Sequence, residues 1–243
     1  MKHPPASLRT RFRLDGQTLM VDLGGPRRVL SSAPLGGGLV RARYVLNHQV
    51  PANPGAECSS RQKWSDPARY LGRVASSLGA DHQAVALMTA VPLEQLVALR
   101  EGTAGLWVEG FFTVGVTNAV RAGEPVSPVR NKRVRHSPGT INIILVTNAS
   151  LSPPAMVGVV QVATESKTAV LLSEGVPSWT GKPGATGTGT DAVVVVGGRR
   201  GDGPSLRYSG THTKIGELVG RLVSRGIQQG LAGSRRWSRR RTG

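Results

Sequence analysis

Residues 184–196, GATGTGTDAVVVV, join a polar run of glycine and threonine to four consecutive valines. The polar run predicts a loop, and the valines predict a central strand. Residues 187–192 formally fit the dinucleotide fingerprint GxGxxA, but that motif needs a strand before it and a helix after it. Because a strand follows here, we exclude a nucleotide loop. Asp191 then stands at the mouth of a strand, where it either contributes to a site or merely caps a turn.

Strand and helix patterns interleave along the rest of the chain without a regular βαβ period. The strand patterns lie at 18–23, 28–32, 84–90, 106–117, 140–146 and 191–196, with a turn at Gly24-Gly25-Pro26. The helix patterns lie at 67–78, 92–100, 153–173 and 213–229. They predict a single domain of the α+β or mixed α/β class, with helices packed on a mixed β-sheet. We expect this domain at residues 16–231, after a poorly ordered basic N-terminus (1–15) and before a basic disordered tail (232–243).

Charge and composition limit the function classes. The 243 residues carry a formal net charge of +17, which is typical of proteins that bind nucleic acids. Much of that charge lies in the tail and around 130–135, and the aromatic content is only 4%, so we expect no specific nucleic-acid partner. The single cysteine, Cys58, excludes an internal disulfide and is interpreted as an incidental thiol. No run of about 18 apolar residues is evident, so we expect no membrane span and a cytoplasmic location.

Two charges, Glu165 and Lys167, fall inside a helix pattern whose apolar residues lie nearly all round, so this helix should be largely buried. Burying a charge is costly unless the charge is paired. The two side chains lie about 200° apart around a helix and cannot pair with each other. Each therefore needs a partner elsewhere or an open cavity. His212, between two threonines at the start of the last helix, has the most site-like setting of the histidines, and a structural role fits it equally well.

The family resemblance rests on eight stretches in order along the chain. They are VLSSAPLGGGL (29–39), residues 47–50, MTAV (88–91), VTNAVRAG (116–123), GTINIILV (139–146), ATESKTAVL (163–171), ATGTGTDAVVV (185–195) and YSGTHTKIGELVG (208–220). Together they resemble the adenosylcobinamide amidohydrolase family of corrinoid salvage. The resemblance implies hydrolysis of the amide that joins the aminopropanol arm to the corrin ring, giving adenosylcobyric acid and 1-amino-2-propanol. The corrinoid is then the substrate, and no cofactor is expected.

Amide hydrolysis needs a nucleophile, oxyanion donors and a proton for the leaving amine. Our hypothesis makes Asp191 or Glu165 the base, acting on water or on a hydroxyl such as Ser32 or Thr188. His212 or Lys167 protonates the amine, and amides of the 187–190 loop hold the oxyanion. The residues expected to bind substrate lie in the matching stretches: Ser32, Asn47, Thr117, Asn118, Asn142, Gly187, Thr188, Gly189, Thr190 and Thr211.

Three alternatives stay open at this stage. A metal-activated water would require Asp191, Glu165 and His212 to converge, and we predict no metal site. The second alternative is a protein that binds corrinoids without hydrolysing them. The third is a protein that binds nucleic acid or phosphate surfaces through its basic residues. The sequence leaves the oligomeric state open.

Overall fold

The computed structural model describes residues 8–51, 66–81, 83–125 and 139–242, with the backbone alone for 237–242. Cys58 and the basic segment 130–135 lie outside these ranges. The strands are β1 (Arg11–Asp15), β2 (Thr18–Ser31), β3 (Gly38–Gln49), β4 (Ala84–Thr89), β5 (Val97–Thr103), β6 (Leu106–Val114), β7 (Ala119–Val120), β8 (Ile141–Thr147), β9 (Ser150–Leu151), β10 (Gly187–Thr188), β11 (Ala192–Val196) and β12 (Ser205–Leu206). The helices are α1 (Pro67–Ser77), α2 (Pro153–Ser173) and α3 (Lys214–Thr242).

One mixed sheet of eight strands organises the chain. Its order is β4-β3-β2-β11-β8-β6-β5, and β1 pairs with β2 outside that path. The valine run forms β11 at the centre, antiparallel to β2 and parallel to β8. Because α2 connects β8 to β11, these three elements form a βαβ crossover. The predicted class, helices packed on a mixed sheet in an α+β domain, is confirmed.

The two faces of the sheet are covered in different ways. Ile143 and Leu145 of β8 join the apolar cluster formed with α2 and α3. Ile144, between them in sequence, joins a second cluster on the opposite face, as the two-residue period of a strand requires. On that face the sheet curls until its edge strand β4 reaches β8, where the Asn142 side-chain amide donates to the Met88 carbonyl at 2.8 Å. Helix α1 covers a third, smaller cluster beside β4.

Helix α2 begins as its sequence predicts. The Ser152 hydroxyl accepts a hydrogen bond from the Ala155 amide, and two prolines occupy the first helical positions. The expectation that α2 is largely buried is wrong on its outer side, where Val157 and Leu172 are about half exposed. By length and composition alone α2 is long and apolar enough to cross a membrane, in contrast to the expectation that no such segment exists. In this fold one side of α2 packs on the sheet and α3, as a core helix of a globular domain does.

The structure differs from the sequence-based boundaries in several places. Residues 92–100, expected as a helix, form a single 3₁₀ turn at Leu93–Gln95 and then β5. The reason is that Val97 and Leu99 pack toward one cluster while Leu96 and Ala98 pack toward the other, which is a strand period. The expected turn at residues 24–26 is an irregularity within the continuous strand β2. Strand β3 was not predicted.

Both ends of the expected domain are also shifted. Residues Arg11–Asp15, expected to be poorly ordered, form β1 because they pair with β2 from Asp22 to Thr18. The expected tail from residue 232 continues α3 as far as Thr242. Leu231 is buried in the cluster beneath α3, so packing carries this helix past the predicted end at residue 229.

Candidate active site

Asp191 lies at the entrance to β11 and accepts four hydrogen bonds. Its Oδ1 accepts from the Ile141 amide at 3.1 Å and from the Thr188 hydroxyl at 2.5 Å. Its Oδ2 accepts from the Thr188 amide at 3.1 Å and from Lys167 Nζ at 2.5 Å. A carboxylate offers about four lone-pair positions, so this one is saturated. Asp191 therefore holds Lys167 and Thr188 in fixed positions, and it touches the Thr188 hydroxyl directly.

Lys167 reaches this carboxylate from α2. The residue is 8% exposed, so its ammonium group needs the partner that the sequence analysis required. That partner is Asp191, 24 positions later in the chain. The βαβ crossover brings them together, because α2 runs back along the sheet and lays its second half beside the start of β11.

Gly187 leaves the space in which this ion pair sits. A Cβ atom at Gly187 would lie 2.4 Å from Asp191 Oδ2 and 2.7 Å from Lys167 Nζ. Both distances are shorter than any ordinary van der Waals contact. A Cβ atom at Gly189, two residues on, would meet nothing within 4 Å. The glycine at 187 is therefore required for the geometry of the pair, and the glycine at 189 is not.

Asn118 and Thr117 reach the same edge of the sheet through Gly139. A Cβ atom at Gly139 would lie 2.7 Å from both Asn118 Oδ1 and Thr117 Oγ1. Gly139 O in turn lies 3.4 Å from the Thr190 hydroxyl. Asn118 Oδ1 is buried and has no hydrogen-bond partner among the described residues. A buried amide oxygen without a donor costs free energy, so this atom is suited to accept an N–H group from a ligand.

Thr140 connects the ion pair to the opposite face of the sheet. Its hydroxyl donates to the Thr190 carbonyl at 2.8 Å and lies 3.4 Å from Asn142 Oδ1. Asn142 donates to Asn47 Oδ1 at 2.8 Å, and Asn47 donates to the Thr113 hydroxyl at 3.0 Å. Asn47 and Asn142 are 2% and 1% exposed. Their amide groups are thus occupied by partners inside the fold, away from the surface at which the substrate was expected.

Ser32 lies beside the same end of β11. Its amide donates to the Val193 carbonyl, and its hydroxyl accepts from the Val193 amide, both at 3.2 Å. The side chain is exposed. Ser32, Gly189 and Thr190 are thus three exposed residues at this end of β11.

Glu165 and His212 do not join this group. Glu165 is exposed on the outer side of α2, as the 200° separation from Lys167 requires. Its expected burial is wrong. Thr211 and His212 are also exposed, in the turn before α3. In that turn Ser209 donates to the Ala155 carbonyl at the first turn of α2. Ala155 is 12 residues before Lys167, about 18 Å along a helix.

The three side chains that a metal-activated water would require therefore do not converge. Among the described residues, no group of three or more His, Cys, Asp or Glu side chains is placed to hold a metal ion.

Sequence reasoning missed the contributions of Thr140 and Gly139. Gly139 and Thr140 lie between the segment 126–138 and β8. In the sequence, a glycine followed by a threonine at this place is typical of the start of any strand. The signal that did point to the site was a lysine inside an apolar helix.

Comparison with known proteins identifies related chains. The sequence profile described as adenosylcobinamide amidohydrolase matches residues 4–239. A protein named adenosylcobinamide amidohydrolase from Methanosarcina mazei is 30% identical, over 91% of this chain and 97% of its own length. A protein of the same name from Halobacterium salinarum is 27% identical, over 87% of this chain and 84% of its own. An uncharacterised protein from Methanocaldococcus jannaschii is 31% identical, over 88% of this chain and 86% of its own.

Proposed function

The chain belongs to the adenosylcobinamide amidohydrolase family, and we propose that it hydrolyses the aminopropanol amide of adenosylcobinamide. The products are adenosylcobyric acid and 1-amino-2-propanol. We place this reaction in the cytoplasm, with the corrinoid as substrate. The family match and two relatives that carry the name of this activity support the substrate class.

One observation carries the assignment of the site: the Thr188 hydroxyl and Lys167 Nζ each lie 2.5 Å from an oxygen of the same carboxylate, that of Asp191. A hydroxyl becomes a useful nucleophile when an adjacent base accepts its proton. A third group that orients the base completes the arrangement found in nucleophilic amidases. Thr188, Asp191 and Lys167 have these relative positions.

In the proposed mechanism Thr188 Oγ attacks the amide carbonyl carbon, and its proton passes to Asp191. The C–N bond breaks as Lys167 gives a proton to the leaving amine and recovers one from Asp191. 1-Amino-2-propanol leaves, and the corrinoid stays attached to Thr188 as an ester. Water then attacks the ester carbonyl: its hydroxyl group forms the carboxylic acid, and its remaining proton returns to Thr188 through the same pair.

Backbone donors beside Thr188 are suited to the negative charge that develops on the carbonyl oxygen. The Thr188 amide is occupied by Asp191, and the Thr190 amide makes only a long contact of 3.5 Å to Thr188 Oγ1. The amide of Gly189 lies between them in the exposed part of the loop. The buried amide oxygen of Asn118, which has no hydrogen-bond partner in the described part of the chain, is suited to one of the amide groups on the corrin periphery.

The test is incubation with adenosylcobinamide, with product detection by mass spectrometry for wild type and five variants. Thr188→Val, Lys167→Met and Asp191→Asn should each lower kcat/KM by at least about 100-fold. The control variants Glu165→Gln and His212→Asn should remain within about twofold of wild type, since neither side chain contacts the ion pair.

The nucleophile is tested separately by rapid acid quench and intact-protein mass spectrometry. The wild-type chain should show an adduct of adenosylcobyric acid minus water, localised to the peptide that contains Thr188. Full turnover by a folded Thr188→Val variant would assign the attack to water instead. Binding of adenosylcobinamide with its mass unchanged would identify a corrinoid-binding protein without hydrolytic activity.

A further inference from the structure

A concave site lies at the opposite end of the sheet from Asp191. It is a cleft of about 470 Å³, a size that holds a small ligand. It opens where the parallel strands β8 and β11 end, beside β9, β12 and the first residue before α2. Asp191 and Gly197 are at opposite ends of β11, about 20 Å apart at the rise of an extended strand. The cleft is therefore separate from the site proposed for amide hydrolysis.

The lining of this cleft is strongly cationic. Among its described lining residues there is no aspartate or glutamate, and the arginines are Arg27, Arg28, Arg41, Arg199, Arg200 and Arg207. None of the six falls within the eight stretches that carry the family resemblance. Like charges gathered in one concavity repel each other and focus a positive potential on its centre. The cleft is thus a cationic site outside those eight stretches.

Arg27 is the one partly buried arginine of the cleft. Its Nε and Nη1 atoms are buried with no hydrogen-bond partner among the described residues, and only Nη2 approaches an acid, 3.9 Å from Asp202 Oδ2. Burial lowers the pKa of the Arg27 guanidinium. Asp202 and Glu109 oppose that effect, and Arg199 adds to it. The guanidinium lies beside Asp202, which lines a neighbouring hollow together with Arg27. The donors that a ligand in the cleft can reach are therefore those of its exposed arginines, among them Arg28, Arg200 and Arg207.

The position in the fold favours phosphate among anions. Small anionic ligands of α/β sheets bind outside the carboxyl ends of parallel strands, which is where β8 and β11 end. The N-terminal end of α2 also faces the cleft through Ser152, and its dipole adds to the positive potential. Planar guanidinium groups bind phosphate oxygens in pairs. We propose that this arginine cleft binds a small molecule through a phosphate or diphosphate group.

The test is isothermal titration calorimetry with inorganic pyrophosphate and ADP on the full chain. Wild type should bind one equivalent of pyrophosphate. The double variant Arg200→Gln/Arg207→Gln, which removes two exposed side chains of the cleft, should weaken this binding at least tenfold. The matched control Arg69→Gln/Arg73→Gln on α1 removes the same charge from an exposed surface and should bind as wild type does.

Equal weakening by both double variants would show a general charge effect and overturn the proposal. So would binding of a single-stranded oligonucleotide, steeply dependent on salt, by a chain that does not bind pyrophosphate or ADP. Circular dichroism and thermal unfolding of each variant separate lost binding from lost folding. Because the readout is binding, its outcome is independent of whether the chain hydrolyses corrinoids.

Discussion

Replacing Gly187 by alanine is expected to disable the candidate active site while leaving the fold intact. The added Cβ atom would lie 2.4 Å from Asp191 Oδ2 and 2.7 Å from Lys167 Nζ. Ordinary contacts to carbon begin near 3.4 Å, so the carboxylate or the ammonium group must move by about 1 Å. That displacement exceeds what the 2.5 Å bond between them tolerates.

The expected size of the effect follows from that displacement. A misplacement of about 1 Å in a catalytic group costs about 100-fold in rate, which corresponds to about 2.7 kcal/mol of transition-state stabilisation. Overpacking of this kind lowers the free energy of unfolding by about 1–3 kcal/mol. We therefore expect kcat/KM for adenosylcobinamide to fall about 100-fold at a temperature where circular dichroism shows a folded chain.

Gly189→Ala is the matched control in the same loop. Its Cβ atom would meet nothing within 4 Å, so the control should keep kcat/KM within about twofold to threefold of wild type. Product formation is followed by liquid chromatography with mass spectrometry, over initial rates. Wild-type activity in a folded Gly187→Ala chain, or equal losses in both variants, would refute the reasoning that ties activity to the Asp191–Lys167 geometry.

Three further expectations concern pH and stability, each measured by urea unfolding. Burial lowers the pKa of His48 below its usual 6.5, so the unfolded chain binds this proton at a higher pH than the folded chain does. The free energy of unfolding should therefore fall as the pH drops from about 7.5 through the pKa of the folded state. His48→Gln should remove this part of the pH dependence. Glu109 is fully buried, accepts hydrogen bonds from the Arg9 and Thr10 amides and lies 3.7 Å from Arg100 Nε. Glu109→Gln removes the acid of this buried pair, so it should cost on the order of 3 kcal/mol and speed hydrogen exchange at both amides. Unchanged exchange would contradict this role. Gly226→Ala would place a Cβ atom 2.5 Å from the Phe112 ring, whereas a Cβ atom at Gly220 would have its nearest neighbour 3.5 Å away. Gly226→Ala should destabilise the fold by about 1–3 kcal/mol, and Gly220→Ala should stabilise it by up to about 1 kcal/mol. The reverse order would show that α3 packs differently.

The sequence contains the signals that fix the centre of the fold. Four valines in a row predict a central strand, and β11 is that strand. Ser152 with two prolines predicts the start of α2. Strand β5 escaped prediction because Leu96, Val97, Ala98 and Leu99 are all apolar, and only their division between two clusters shows a strand period. That division depends on neighbours far away in sequence.

The candidate site was predicted in part for a similar reason. A lysine in an apolar helix requires a buried acceptor, and an aspartate at the start of a strand can be that acceptor. The sequence therefore indicates both Lys167 and Asp191 as site residues from their local surroundings alone. Which of Glu165 and Lys167 faces inward depends on the rotation of α2 about its axis, which its packing on the sheet and on α3 sets. His212 has polar neighbours in the sequence, as a site residue often does. Those neighbours do not show that its turn packs at the start of α2, away from Lys167.

The most direct measurement compares wild type with Thr188→Val and Thr188→Ser after incubation with adenosylcobinamide. We expect adenosylcobyric acid and 1-amino-2-propanol in equal amounts from wild type and about 100-fold less of both from the valine variant. The serine variant keeps a hydroxyl beside Asp191 and should show partial activity. A corrinoid whose mass stays unchanged with wild type, across pH and added metal ions, would contradict the proposed reaction. Equal product from the valine variant would contradict the role of Thr188.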